Sequence, residues 1–148
     1  MPIPALNEHG LLPAAIHDCT LEELKSRFGS FQISDRRNQL FRRFERFVAD
    51  AQAAKFARSL LIDGSFVTSE PAPNDIDLVL VLSRSHDVAA DLPPGHYNLV
   101  SRRSVRRRYG FDIVVVREYT VEYEEAVAFF QQVRGQPALR KGILNLTL

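Results

Sequence analysis

The chain has 148 residues, with 19 basic and 18 acidic side chains and a hydrophobic content of 45%. That length suits one domain of about 100 to 200 residues, and near-cancelling charge with abundant Ile, Leu, Val and Phe excludes a disordered chain. A net charge of +1 excludes a globally basic nucleic-acid coat, and the single Cys19 excludes an internal disulfide framework or a multi-Cys zinc site.

Residues 1–19, rich in Pro, His, Gly and Asn, read as an irregular arm. The opening Met1-Pro2-Ile3-Pro4-Ala5 lacks the charged start and apolar run of a signal peptide. No apolar run reaches the ~20 residues that span a bilayer. The expectation is a cytoplasmic protein with no membrane partner. Thr20-Leu21-Glu22-Glu23 is a capping-box pattern, so a short helix should follow and end at Gly29. This gives an N-terminal arm with a short helix over 1–34, then the main body of one globular domain over 35–148.

Ser34 is placed to cap the longest helix, over about 35–57. Leu40, Phe41, Phe44, Phe47, Val48 and Ala51 fall at helical spacing, with Arg36, Arg37, Arg42, Arg43 and Arg46 on the remaining faces. Ser59–Asp63 is a short strand running into Gly64-Ser65. After a loop with Pro71, Pro73 and Asn74, residues Asp75–Leu82 form the clearest strand, apolar on both faces beyond its start. His96–Val100 reads as a short strand after Pro93-Pro94-Gly95, Ser101–Tyr109 as an Arg-rich helix or turn, and Phe111–Val116 as a buried strand. Thr120 should cap a final helix with Glu122, Glu124 and Glu125 near its positive end, and Gly142–Leu148 adds a last strand. The order implies an α/β (α+β) fold: a small mixed β-sheet flanked by helices.

Asp75 and Asp77 alternate at the start of a strand, which would put both carboxylates on one face about 6 to 7 Å apart. Such a pair repels itself, and a divalent cation relieves the repulsion. Magnesium suits carboxylates that share it with phosphate oxygens. Asp112 opens a second buried strand. If the two strands are neighbours, it completes a triad able to hold two metals about 4 Å apart. Gly64 lets the backbone approach a phosphate closely, and free N–H groups with the Ser65 hydroxyl can bind its oxygens.

The stretches Leu61-Ile62-Asp63-Gly64-Ser65, Asn74-Asp75-Ile76-Asp77-Leu78 and Phe111-Asp112-Ile113 resemble the nucleotidyltransferase superfamily that includes DNA polymerase beta. The likeness is closest to small stand-alone bacterial members of the minimal nucleotidyltransferase type. The arm, with Gly10-Leu11-Leu12-Pro13, His17 and Thr20-Leu21-Glu22-Glu23, looks like a group of bacterial proteins with this core. The resemblance implies triphosphate binding by Gly64 and Ser65. It implies metal binding by Asp75 and Asp77, and help from Asp112 in activating an acceptor hydroxyl. The implied cofactor is Mg2+ as two ions, with Mn2+ as a substitute, and the implied substrate is an NTP, with ATP the commonest choice. Small toxin–antitoxin members carry Arg-Gly shortly after Gly-Ser, whereas Phe66-Val67-Thr68-Ser69 follows here.

Other features have plainer readings. Arg102, Arg103, Arg106 and Arg107 cover about 140° of a helix, either as a solvated face or as a phosphate or nucleic-acid contact. No two of His9, His17, His86 and His96 have ligand spacing, and the Phe41, Phe44 and Phe47 stripe reads as core. The expected activity is metal-dependent transfer of NMP from an NTP to a hydroxyl of an acceptor: a protein, a nucleic acid or a small molecule. The alternatives are a non-catalytic nucleotide- or partner-binding module of antitoxin type, and a nucleic-acid-binding protein using the arginines.

Overall fold

Alternation along the central strands creates two apolar sheet faces of unequal size, and the helices divide between them. The computed structural model describes residues 3–29, 35–87 and 92–148. A five-stranded mixed sheet has the order β1-β5-β2-β3-β4. Its strands are β1 (Ile16–Cys19), β2 (Ala57–Asp63), β3 (Asp77–Leu82), β4 (Asp112–Arg117) and β5 (Ile143–Thr147). β2 runs antiparallel to both β3 and β5, while β3–β4 and β1–β5 are parallel. The fold is mixed α and β, as the residue pattern implied.

The larger core lies under α2 (Arg36–Ala54). Its Leu40, Phe41, Phe44, Phe47, Val48 and Ala51 are buried against Leu60 and Ile62 of β2, Leu78 and Leu80 of β3, and Ile113 of β4. The helix ends where Lys55 takes a left-handed φ of 63°, three residues short of the expected limit. Ser34, the expected cap, lies outside the described residues. The smaller core joins Leu61, Val79, Val81 and Val116 to Ala126, Tyr123 and Val127 of α5 (Val121–Phe130). Thr120 caps α5 by accepting from the Tyr123 N–H at 3.2 Å.

Three local expectations change. Residues 16–19 are not irregular but form β1, whose partner β5 lies at the far end of the chain. Ile3, Leu12 and Cys19 are buried in the larger core, as are Leu24 of α1 (Leu21–Leu24) and Phe28 of the π-turn Lys25–Gly29 that continues it. Residues 96–100 are helical, within α3 (Pro94–Val100). Pro94 stands in the first turn, where its fixed φ suits a helix and its missing N–H is not needed. Arg37 is fully buried rather than on an outer helix face. Among the described residues no helix is long and apolar enough to cross a membrane.

Candidate functional site

Side chains alternate along each strand, so Asp77 shares a face with Val79 and Val81, Asp63 with Leu61, and Asp112 with Val116. Asp77 pairs in register with Asp63 on one side and with Asp112 on the other. The three carboxylates therefore form a row across β2, β3 and β4, on the face that α5 covers. Burial pushes the Asp77 carboxyl up to about 6, and the charges of Asp75, Asp63 and Asp112 add to the effect, while Lys141 opposes it. Asp63 is also raised, mainly by burial, with Lys141 pulling the other way. The Lys141 Nζ stands 3.1 Å from Asp63 Oδ1, and the two side chains keep only 18% and 7% of their surface exposed. The contact is a buried ion pair, in which the charge of Lys141 and its hydrogen bond both favour the ionised Asp63.

Asp75 is not part of this row. β3 begins at Asp77, so Asp75 precedes the strand rather than opening it, although its charge still acts on Asp77. Instead the Asp75 carboxylate turns onto the preceding loop, where Oδ1 accepts from the Ser65 N–H and the Ser65 hydroxyl, each at 2.8 Å. The Ser65 Oγ accepts in turn from the Asn74 N–H at 3.1 Å. The Phe66 N–H donates to the Asp75 carbonyl at 3.2 Å. Gly64 has φ 94°, and a Cβ there would lie 3.0 Å from the Asp75 carbonyl and 3.0 Å from the Asp77 N. Only glycine lets the turn close on the Asp75–Asp77 backbone.

Arg37 pins the far side of that turn. Its Nη1 donates to the Phe66 carbonyl at 2.6 Å and to the Phe28 carbonyl at 3.3 Å. Its Nη2 donates to the Thr68 carbonyl at 2.7 Å and also to the Glu70 carbonyl. The guanidinium sits 5.8 Å from the Phe28 ring and 5.4 Å from the Phe66 ring, and burial lowers its pKa against the pull of Glu70. One planar fork thus ties α2 to the loop after Gly64-Ser65.

Arg102, Arg103, Arg106 and Arg107 all lie exposed on α4 (Arg102–Tyr109), together with Arg108. Ser101 caps α4 by accepting from the Ser104 N–H at 3.3 Å, and Gly110 ends it with φ 81°. Arg106 Nη1 lies 3.4 Å from Asp112 Oδ1, but both side chains are 64% exposed, so the pair contributes little stability. The Arg43 Nη1 lies beside Gly110, 3.2 Å from where a Cβ would stand, and Arg46 lies over the Tyr109 ring at 5.7 Å. Arginines of α2 and α4 therefore share one surface that reaches Asp112. The phenylalanine stripe of α2 is core as expected, and Cys19 is a buried thiol pushed up to about 12, chiefly by burial.

Among the described residues, no group of three or more His, Cys, Asp and Glu side chains is arranged to hold a metal ion. The donor chemistry of the row nevertheless suits Mg2+ or Mn2+, because every acidic group is an oxygen ligand. Ser65 takes one oxygen of Asp75, and Arg106 faces one of Asp112. The sequence reading missed Asp63 and Lys141. Asp63 had a signal, since it continues the Leu61 face to the end of β2 beside Gly64. Lys141 had none, because only the β2–β5 pairing brings the start of β5 to Asp63. No curated protein and no solved structure matches this chain. A family profile covers residues 4–147, and the chain belongs to the family described as a family of unknown function, DUF6932.

Proposed function

We propose that the protein is a metal-dependent nucleotidyltransferase that moves NMP from an NTP to an acceptor hydroxyl and releases pyrophosphate. The observation that carries this is the row Asp63–Asp77–Asp112 set beside the glycine-dependent Gly64-Ser65 turn. Here the Ser65 N–H and hydroxyl exchange the Asp75 oxygen for a phosphate oxygen. The same exchange frees Asp75 to act with Asp77 and Asp112 as a metal-holding set. A bound Mg2+ would neutralise phosphate charge and lower the pKa of the acceptor hydroxyl. The acceptor oxygen bonds to the α-phosphorus while the bridging bond to the β-phosphate breaks. Pyrophosphate leaves with the electron pair, and the acceptor proton passes to Asp112. The arginines beside Asp112 suit an acceptor that carries phosphate, such as a nucleic acid.

The test is a thermal-shift screen of the four NTPs with magnesium, paired with pyrophosphate detection, on wild type and Asp77→Asn. A rise in melting temperature and pyrophosphate release, both lost in the variant, are the expected results. Undiminished release by Asp77→Asn would overturn the assignment.

A second reading is a non-catalytic nucleotide- or partner-binding module, in which an antitoxin-like surface neutralises another protein. The closed Ser65–Asp75 contact and the Arg106–Asp112 contact favour it, since both satisfy the carboxylates internally. It predicts binding of nucleotide or partner with no pyrophosphate release.

A further inference from the structure

α5 ends at Phe130 and leaves part of the carboxylate-bearing face open. A cleft of about 380 Å³ opens there, with Asp63, Asp77 and Lys141 among its lining residues. Phe129, Phe130, Gln132 and Arg134 line the rest. This volume falls within the ~300 to 1,000 Å³ range of small-molecule sites. Phe129 is 63% exposed, and its ring meets the Phe130 ring edge to face at 5.1 Å. Single exposed apolar side chains are ordinary on protein surfaces. Among the described residues, the exposed large apolar side chains are Ile16, Tyr97, Tyr119, Val121 and Phe129, and of these Phe129 lines the cleft containing Asp77.

We infer that this cleft is the nucleoside subsite, in which the base of the bound nucleotide stacks on Phe129. The inference rests on the nucleotidyltransferase reading and adds the residues that would recognise the part of the nucleotide beyond its phosphates. Three features support it. An exposed phenyl ring accepts any base face, and Gln132 offers both a donor and an acceptor to a base edge. Arg134 brings positive charge to the rim of the same cleft, where Lys141 is already paired with Asp63, and a cation there suits the charge of a nucleotide.

Position then separates nucleoside from acceptor. Asp63 directly precedes Gly64, so the cleft adjoins the turn proposed to hold phosphate. Lys141 leads into β5, so the cleft lies on the β5–β2 side of Asp77. Asp112 and the arginine surface lie on the opposite, β4 side. A nucleotide reaching from the cleft to Asp77 would leave the β4 side open to the acceptor.

The test is calorimetric titration of the full chain with Mg·ATP and with magnesium tripolyphosphate, which keeps the phosphates and lacks the nucleoside. Phe129→Ala should weaken Mg·ATP about tenfold and leave tripolyphosphate unchanged, while Phe129→Tyr keeps wild-type affinity for both. Because Phe129 is mostly exposed, the alanine variant should fold normally, and circular dichroism checks this. Equal Mg·ATP affinity in wild type and Phe129→Ala would overturn the stacking role and leave the nucleotide reading standing. Equal weakening of both ligands would overturn it too, since the ring would then act on phosphate binding. Failure of wild type to bind either ligand would overturn the nucleotide reading, and this inference with it.

Discussion

Asp77 faces Asp63 across an antiparallel pair and Asp112 across a parallel pair, so one residue of β3 sets the line of three carboxylates. The row stands at one end of the sheet, on the face that α5 covers only in part. Burial resists ionisation of the middle group, the charges of Asp75, Asp63 and Asp112 add to that resistance, and Lys141 opposes it.

The first prediction concerns pH. Asp77 titrates near about 6 in the fold, against about 4 in an unfolded chain. A proton held more tightly in the folded state favours folding while it is bound. That contribution is fully present below about pH 4 and is lost as pH rises through about 6. Asp77→Asn is neutral at every pH and escapes the loss. Without metal, the melting temperature of the variant should pull ahead of wild type across this window. Parallel curves would show that Asp77 is not the perturbed group.

Lys141 is the counter-charge of a buried acid. Lys141→Met should destabilise the fold by about 3 kcal/mol, because Asp63 is left buried with no cation beside it. Asp63→Asn combined with Lys141→Met should recover most of that loss. Urea denaturation of the four proteins in the cycle measures the coupling, and additive losses would mean the two side chains act independently.

Arg37 makes a third case. Four carbonyls converge on its guanidinium, and a lysine ammonium cannot span them. Arg37→Lys should cost about 3 kcal/mol, given roughly 1.5 kcal/mol or more for each lost bond to a charged donor. Amide exchange at Thr68 and Ser69 should quicken more than exchange in β3. Uniform quickening would point to a global loss rather than a freed loop.

The arginine surface predicts salt dependence. If the acceptor is a nucleic acid, wild type should bind single-stranded RNA with an affinity that falls steeply with salt. Replacing Arg102, Arg103, Arg106 and Arg107 by Ser should flatten the slope by roughly 0.7 for each phosphate contact removed. Asp77→Asn should leave the slope unchanged. An unaltered slope in the arginine variant would return these residues to a solvated helix face.

The sequence alone determined the strands that carry Asp77 and Asp112, the buried phenylalanine stripe of α2 and the Thr20 and Thr120 caps. These depend on periodicity and side-chain chemistry within a few residues. The Gly64-Ser65 turn was legible for a similar reason, because a strand end followed by glycine marks a close backbone approach. Local pattern could not show that Asp75 stops short of β3, since Asp-x-Asp looks the same whether or not pairing begins before it. It misread residues 96–100 because a Pro-Pro-Gly segment can start a helix as well as turn toward a strand. The pairing of Asp63 with Asp77, the ion pair of Lys141, the burial of Arg37 and the joining of the α2 and α4 arginines all required the tertiary structure. Each depends on contacts between segments far apart in the chain, which strand order and helix packing set and residue spacing does not encode.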